Sequence, residues 1–177
     1  MDVEVYKIGR VLDVRWVASS LRSVKAVWRS YSALHEHFKQ ETVDNTCDSK
    51  EKARYLGFVR KFENGILLKN LAIMFDALEE LSDLSLALQK ADANLPVAQR
   101  LISRQVELFS FRRSSGGVHY DDACKAVDAG KFHNIILSQA CGKEKEIHRD
   151  QFYQCLCDSM SARMFPDPEK DLCNVVR

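Results

Sequence analysis

The spacing of apolar and polar positions divides the chain into one short extended run and a series of helices. Residues 5–14, VYKIGRVLDV, cluster Val, Ile and Leu in a stretch punctuated by Gly9 and Asp13, too brief for a helix and therefore extended. From Trp16 to about Phe38 the period changes. Val17, Leu21, Val24, Trp28, Tyr31 and Phe38 recur at steps of three and four, with Leu34 filling the remaining turn, which predicts one amphipathic helix. Residues 40–49, QETVDNTCDS, have no period and are rich in side chains that compete for backbone hydrogen bonds, so they read as a loop. A second helix over 50–62 follows, capped by Ser49 or Asp48, with Leu56, Val59 and Phe62 inward and Asn64-Gly65 as its stop.

Ile66 to Leu88 is the most apolar element. Leu67, Leu71, Met74, Leu78, Leu81 and Leu88 mark its inner side, broadened by Leu68, Phe75 and Leu84, and Asp76, Glu79, Glu80 and Asp83 form the exposed strip. The next helix, opened by Asn94 and Pro96, carries Arg100, Arg104, Arg112 and Arg113, so the two are expected to pair as antiparallel neighbours. Ser114 to Gly117 reads as a flexible break, Tyr120 to Ala129 as a short helix ended by Gly130, and 132–139 as either a short strand or a helical turn. A last helix runs from about Arg149 to Met164 and stops before Pro166 and Pro168.

Composition supports this reading. Seven Gly and three Pro are too few for the many tight turns of a β-sandwich or barrel, so the fold class is mainly α with one or two short strands. With 26 basic against 25 acidic residues the formal charge is +1, and electrostatic function must come from local patches. No window reaches the length of a membrane span, and MDVEVYKIGR has acids where a secretory signal has bases. The reading is nuclear or cytoplasmic, not secreted, with the six cysteines as free thiols.

Candidate chemistry is sparse. His148, Cys141, Cys155, Cys157 and Cys173 have zinc-binding atoms, yet they lack paired ligands two to four residues apart, and Cys155-x-Cys157 lies in a helix whose alternate side chains diverge. His35 and His37 are two residues apart, where a helical metal motif needs four. Glu79-Glu80 and Asp121-Asp122 are adjacent and point apart, and no nucleophile elbow or phosphate-cradling glycine loop is present. The expectation is no enzyme, no metal and no cofactor. One feature stands out: Arg15, Arg22, Lys25 and Arg29 form a basic stripe on the first helix, with Trp16 at its head. Bases neutralise phosphates and an aromatic stacks on an exposed nucleobase; the alternative is a solvated face with Trp16 as a core anchor.

The segment KIGRVLDVRWVASSLRSVKAVWRSYSALHEHF resembles the region of hAT-superfamily transposases, and of vertebrate zinc-finger and SUMO-ligase-like proteins descended from them, that carries an Arg-Trp motif. FDALEELSDLSLALQKADANLPVAQRLI and DQFYQCLCDSMSARMFPD resemble the helical segments that follow it, so the likeness covers most of residues 7–170. The resemblance implies the helical insertion of an RNase H-like core: residues 1–15 an extended remnant of the core, 16–165 the helical domain, and 166–177 a tail. It carries over only Arg15 and Trp16, the motif positions associated with DNA near the cleaved end; the family's three catalytic acids have no counterpart, and nothing in the match makes Asp13 one of them. It implies a non-catalytic fragment with residual DNA binding. The alternatives are a helical module that self-associates or binds another protein through the apolar helix 66–88, or a reading frame without selected function.

Overall fold

The structure, a computed structural model, describes residues 16–90, 94–138 and 145–164. The extended run at 5–14, Arg15 and the tail at 166–177 with Pro166 and Pro168 lie outside these residues. Among the described residues the chain is mainly helical: α1 (Trp16–Arg29), α2 (Tyr31–Val43), α3 (Ser49–Phe62), α4 (Gly65–Leu88), α5 (Leu95–Ser115), α6 (Val118–Asp128), a small hairpin of β1 (Lys131–Phe132) and β2 (Ile135–Ile136), and α7 (Arg149–Met164). The chain divides into two compact units, residues 1–79 with 118–146 and residues 80–117 with 147–177, so α4 contributes its first fifteen residues to one and the remainder to the other.

In the first unit, the single helix expected from Trp16 to Phe38 is two helices. The chain turns at Ser30, whose φ of −95° and ψ of 15° leave the helical region although Ser30 N still donates to Ala26 O at 2.9 Å. The break keeps the three- and four-residue spacing on both sides, so the apolar period runs through it unaltered. Its consequence is the placement of Tyr31, fully buried, whose hydroxyl donates to the Phe62 carbonyl at 2.9 Å and satisfies an end-of-helix acceptor on α3. α2 then continues to Val43, into the stretch expected to be loop.

α3 starts where its cap is written. The Asp48 carboxylate accepts from Glu51 N at 2.7 Å and the Glu51 side chain accepts from Asp48 N at 3.2 Å, a reciprocal capping box. Val59 and Phe62 face inward as expected, but Leu56 is 42% exposed. The Asn64-Gly65 pair does not take a left-handed backbone; positive φ occurs at His133, Gly116 and Gly130. Asn64 instead opens α4, its Oδ1 accepting from Ile66 N at 2.8 Å. Gly65 is required by proximity, since a Cβ there would lie 2.9 Å from Val127 Cγ2 on α6.

α4 is buried over Ala72, Ile73, Phe75, Asp76, Ala77 and Leu78, with Leu68 one turn earlier, while the expected inner residues Leu67, Leu71 and Met74 are only half-buried. A helix apolar on nearly every side carries too little contrast for its periodicity to point to one face. The core of this unit joins Tyr31, Phe62, Leu68, Ala72 and Ala123 to the hairpin residues Phe132, Ile135 and Leu137. Between the two alternatives for the 132–139 stretch, its described residues take the strand form as a short hairpin: Lys131 pairs with Ile136 and Phe132 with Ile135, antiparallel, across a His133-Asn134 turn in which His133 has φ +50°. Ser138 N donates to Glu63 O at 2.7 Å and ties the hairpin to the α3–α4 junction.

In the second unit α5 begins at its Asn94 cap, whose Oδ1 accepts from Val97 N at 3.0 Å, with Pro96 in the first turn. α5 packs on α7 through buried Phe109, Tyr153 and Cys157, the Phe109 and Tyr153 rings lying 5.6 Å apart, and Ile102 of α5 is buried as well. Of the stretch expected to be a flexible break, Ser114 and Ser115 are the last residues of α5, Gly116 and Gly117 follow it, and several of its carbonyls are hydrogen-bonded. Arg149 Nε donates to Arg113 O at 3.0 Å and its Nη2 to Ser114 O at 2.9 Å, while Arg112 Nη1 donates to Gly116 O at 2.8 Å. Of the expected α4–α5 charge pairs, Arg112 with Glu80 at 3.2 Å is formed; Arg113 pairs with Asp150 of α7 at 2.7 Å instead.

Candidate functional site

The basic stripe sits on α1 in the first unit. At about 100° per residue Arg22, Lys25 and Arg29 fall within about 60° of the helix circumference. Arg22 and Arg29 are exposed and Lys25 is half-buried. Among the described residues neither Arg22 nor Lys25 has an ion-pair partner. Arg29 closes the last turn of α1, where a cation complements the partial negative charge of the helix end. Arg15 lies outside the described residues.

Trp16 is 57% exposed at the first residue of α1. The same helical geometry sets it about 120° from Arg22 and about 180° from Lys25, so the indole and the stripe leave the helix on different sides. The aromatic that anchors the core is Trp28, edge-on to Phe75 at 6.0 Å and to the His119 ring at 5.4 Å, and tilted against Phe132 at 5.2 Å.

Polar groups that periodicity did not single out are organised around α4 and α6. Asp76, expected in an exposed strip, is 5% exposed. Its Oδ1 accepts from His119 N at 3.1 Å and from His119 Nδ1 at 2.8 Å, and its Oδ2 accepts from Tyr120 N at 3.0 Å. The His119 ring stacks on Phe75 with centroids 3.8 Å apart. Gly117, which precedes α6, has no side chain to cap it, and Asp76 supplies the missing acceptor from another helix. The one signal in the sequence was an acid set among buried apolar neighbours on α4. His35 and His37 face different sides, as their spacing requires: His35 is buried and its Nε2 lies 3.1 Å from Glu63 Oε1, while exposed His37 lies 3.7 Å from Glu41.

The donor atoms of Glu41, Asp44 and Cys47 lie within 4.8 Å of one another. Here Cys47 Sγ donates to Glu41 Oε2 at 3.5 Å, and partial burial, followed by that hydrogen bond and the surrounding carboxylates, pushes the thiol pKa up. Asp44 is held below the usual carboxylate range by the hydrogen bonds it accepts from Thr46. Cys157 is buried against α5, its Sγ 3.6 Å from Val106 O, while Cys155 is exposed two residues away; Cys141 and Cys173 lie outside the described residues. No helix among the described residues is long and apolar enough to cross a membrane.

No protein-family model, curated protein or solved structure gives a significant match to the chain.

Proposed function

We propose that the chain is a non-catalytic helical fragment derived from a hAT-type transposase, and that the basic face of α1 contacts the phosphate backbone of DNA. The observation that carries the DNA contact is the stripe itself: Arg22 and Lys25 share one side of α1 and have no ion-pair partner among the described residues, whereas Arg112 and Arg113 are committed to pairs within their own unit. Such a surface binds by charge and releases counterions, so affinity is weak, indifferent to base sequence and steeply salt-dependent. The origin rests on the Arg-Trp motif and the helical segments that follow it. The non-catalytic part of the reading rests on the same resemblance, which carries over Arg15 and Trp16 alone and none of the acids that two-metal phosphoryl transfer uses.

The test is titration of labelled duplex and hairpin DNA at two salt concentrations against wild type, an Arg22/Lys25/Arg29→Ala triple variant and Trp16→Ala. The triple variant should flatten the salt slope by roughly one for each phosphate that is no longer neutralised. Trp16→Ala should leave that slope unchanged and weaken only the complex with unpaired ends. A triple variant that binds like wild type makes the stripe a solvated face and rejects the reading. Magnesium-dependent cleavage of any DNA end by the purified protein would overturn the non-catalytic assignment.

A further inference from the structure

Within the second unit, α4 and α5 face each other through two matching stripes, positions i, i+3, i+4 and i+7 counted from Glu80 on α4 and from Leu101 on α5. Stripes with this spacing usually close into a seam. Here they enclose an open groove of about 270 Å³ walled by half-buried Leu84, Leu101 and Leu108.

Two features of the groove are incomplete within one chain. Gln105 is 8% exposed, and its Nε2 has no hydrogen-bond partner among the described residues. On the rims stand exposed Asp83 from α4 and exposed Arg104 from α5, neither with an ion-pair partner among the described residues, although Glu80 on the same stripe is held by Arg112.

We propose that this groove docks a second copy of the same chain, related by a two-fold axis that sets Asp83 of each copy against Arg104 of the other. A two-fold interface must be self-complementary, and this surface carries both halves of an ion pair, acid on one helix and base on the facing one. Its central polar group is equally self-complementary, because a carboxamide both donates and accepts and so bonds to its own symmetry mate. Rotation about the soft terminal torsion of Gln105 turns the amide toward the axis. The three leucines become the dry centre of the interface, in the manner of a buried polar residue fixing the register of an apolar helix seam.

Sedimentation velocity on the full chain, from about 1 to about 200 μM, brackets a micromolar self-association. Wild type should shift from monomer to dimer across that range. Asp83→Arg and Arg104→Asp should each weaken the dimer by about tenfold or more by setting like charges against each other, and the combined swap should restore it to within about threefold of wild type. Both sites are exposed, so far-UV circular dichroism should be unchanged; Asp83→Asn is the milder variant and should weaken the dimer less than Asp83→Arg. A wild type that stays monomeric across the range, single swaps that leave the dimer intact, or a combined swap that fails to restore it would each overturn the proposal, the first leaving the groove to a different occupant.

Discussion

Asp76 on α4 caps α6 from outside that helix, its carboxylate accepting from His119 N, His119 Nδ1 and Tyr120 N at 3.1, 2.8 and 3.0 Å. Asp76→Ala removes the acceptor and leaves two part-buried backbone donors without it, at a cost of about 1–3 kcal/mol. Thermal melts should show this destabilisation, and Asp76→Asn should recover part of it because the amide oxygen still accepts. A melt of Asp76→Ala equal to wild type would mean that α6 is capped by water instead.

Gly65 and Val127 test whether that glycine is present for space. The Cβ of Gly65→Ala meets Val127 Cγ2 at 2.9 Å, and Val127 is β-branched and stiff about its first torsion. The helix-propensity gain of about 1 kcal/mol is then outweighed by a packing cost of about 1–3 kcal/mol. Gly65→Ala should therefore destabilise the wild-type background and stabilise a Val127→Ala background, a sign reversal that denaturant titration can read.

Tyr31→Phe deletes the hydroxyl that reaches the Phe62 carbonyl and leaves the ring packing against Phe62 and Phe132 in place. The cost, read from denaturant titration, should be about 1 kcal/mol, the net value of one buried hydrogen bond. Tyr31→Ala should cost several times more through the cavity it opens.

Cys47 offers a test by reactivity. Its thiol pKa is raised by partial burial and by Glu41, so at a given pH less thiolate is present than for an ordinary cysteine and alkylation is correspondingly slow. Glu41→Gln removes a nearby negative charge, lowers the pKa toward its ordinary value and should accelerate iodoacetamide labelling at Cys47 near pH 8. Mass-spectrometric peptide mapping follows the site, and an unchanged rate would assign the slowness to burial alone.

Arg113 and Asp150 mark the limit of charge-pair arguments. The pair is short at 2.7 Å, and the Asp150 hydrogen bond raises the Arg113 guanidinium pKa, but both side chains are substantially exposed. Asp150→Ala should therefore cost no more than about 1 kcal/mol in a thermal or denaturant melt, well below the effect at Asp76.

The amino-acid sequence by itself determined the mainly helical class and the start of α3 to within Asp48 or Ser49, of α5 at Asn94 and of α7 near Arg149. Caps, prolines and three- and four-residue periods act within one or two turns, so they are legible without knowing what packs where. The sequence also determined that the bases on α1 share one side, which is helix geometry alone. Only the tertiary structure decided that the chain turns at Ser30, because the turn preserves the spacing on both sides and its gain, the burial of Tyr31 against α3, is non-local. It alone decided that Asp76 is inside, where donors 43 and 44 residues away make a buried carboxylate favourable. The buried face of α4 was equally illegible: a helix apolar on nearly every side is oriented by what surrounds it, and those neighbours come from helices distant in sequence.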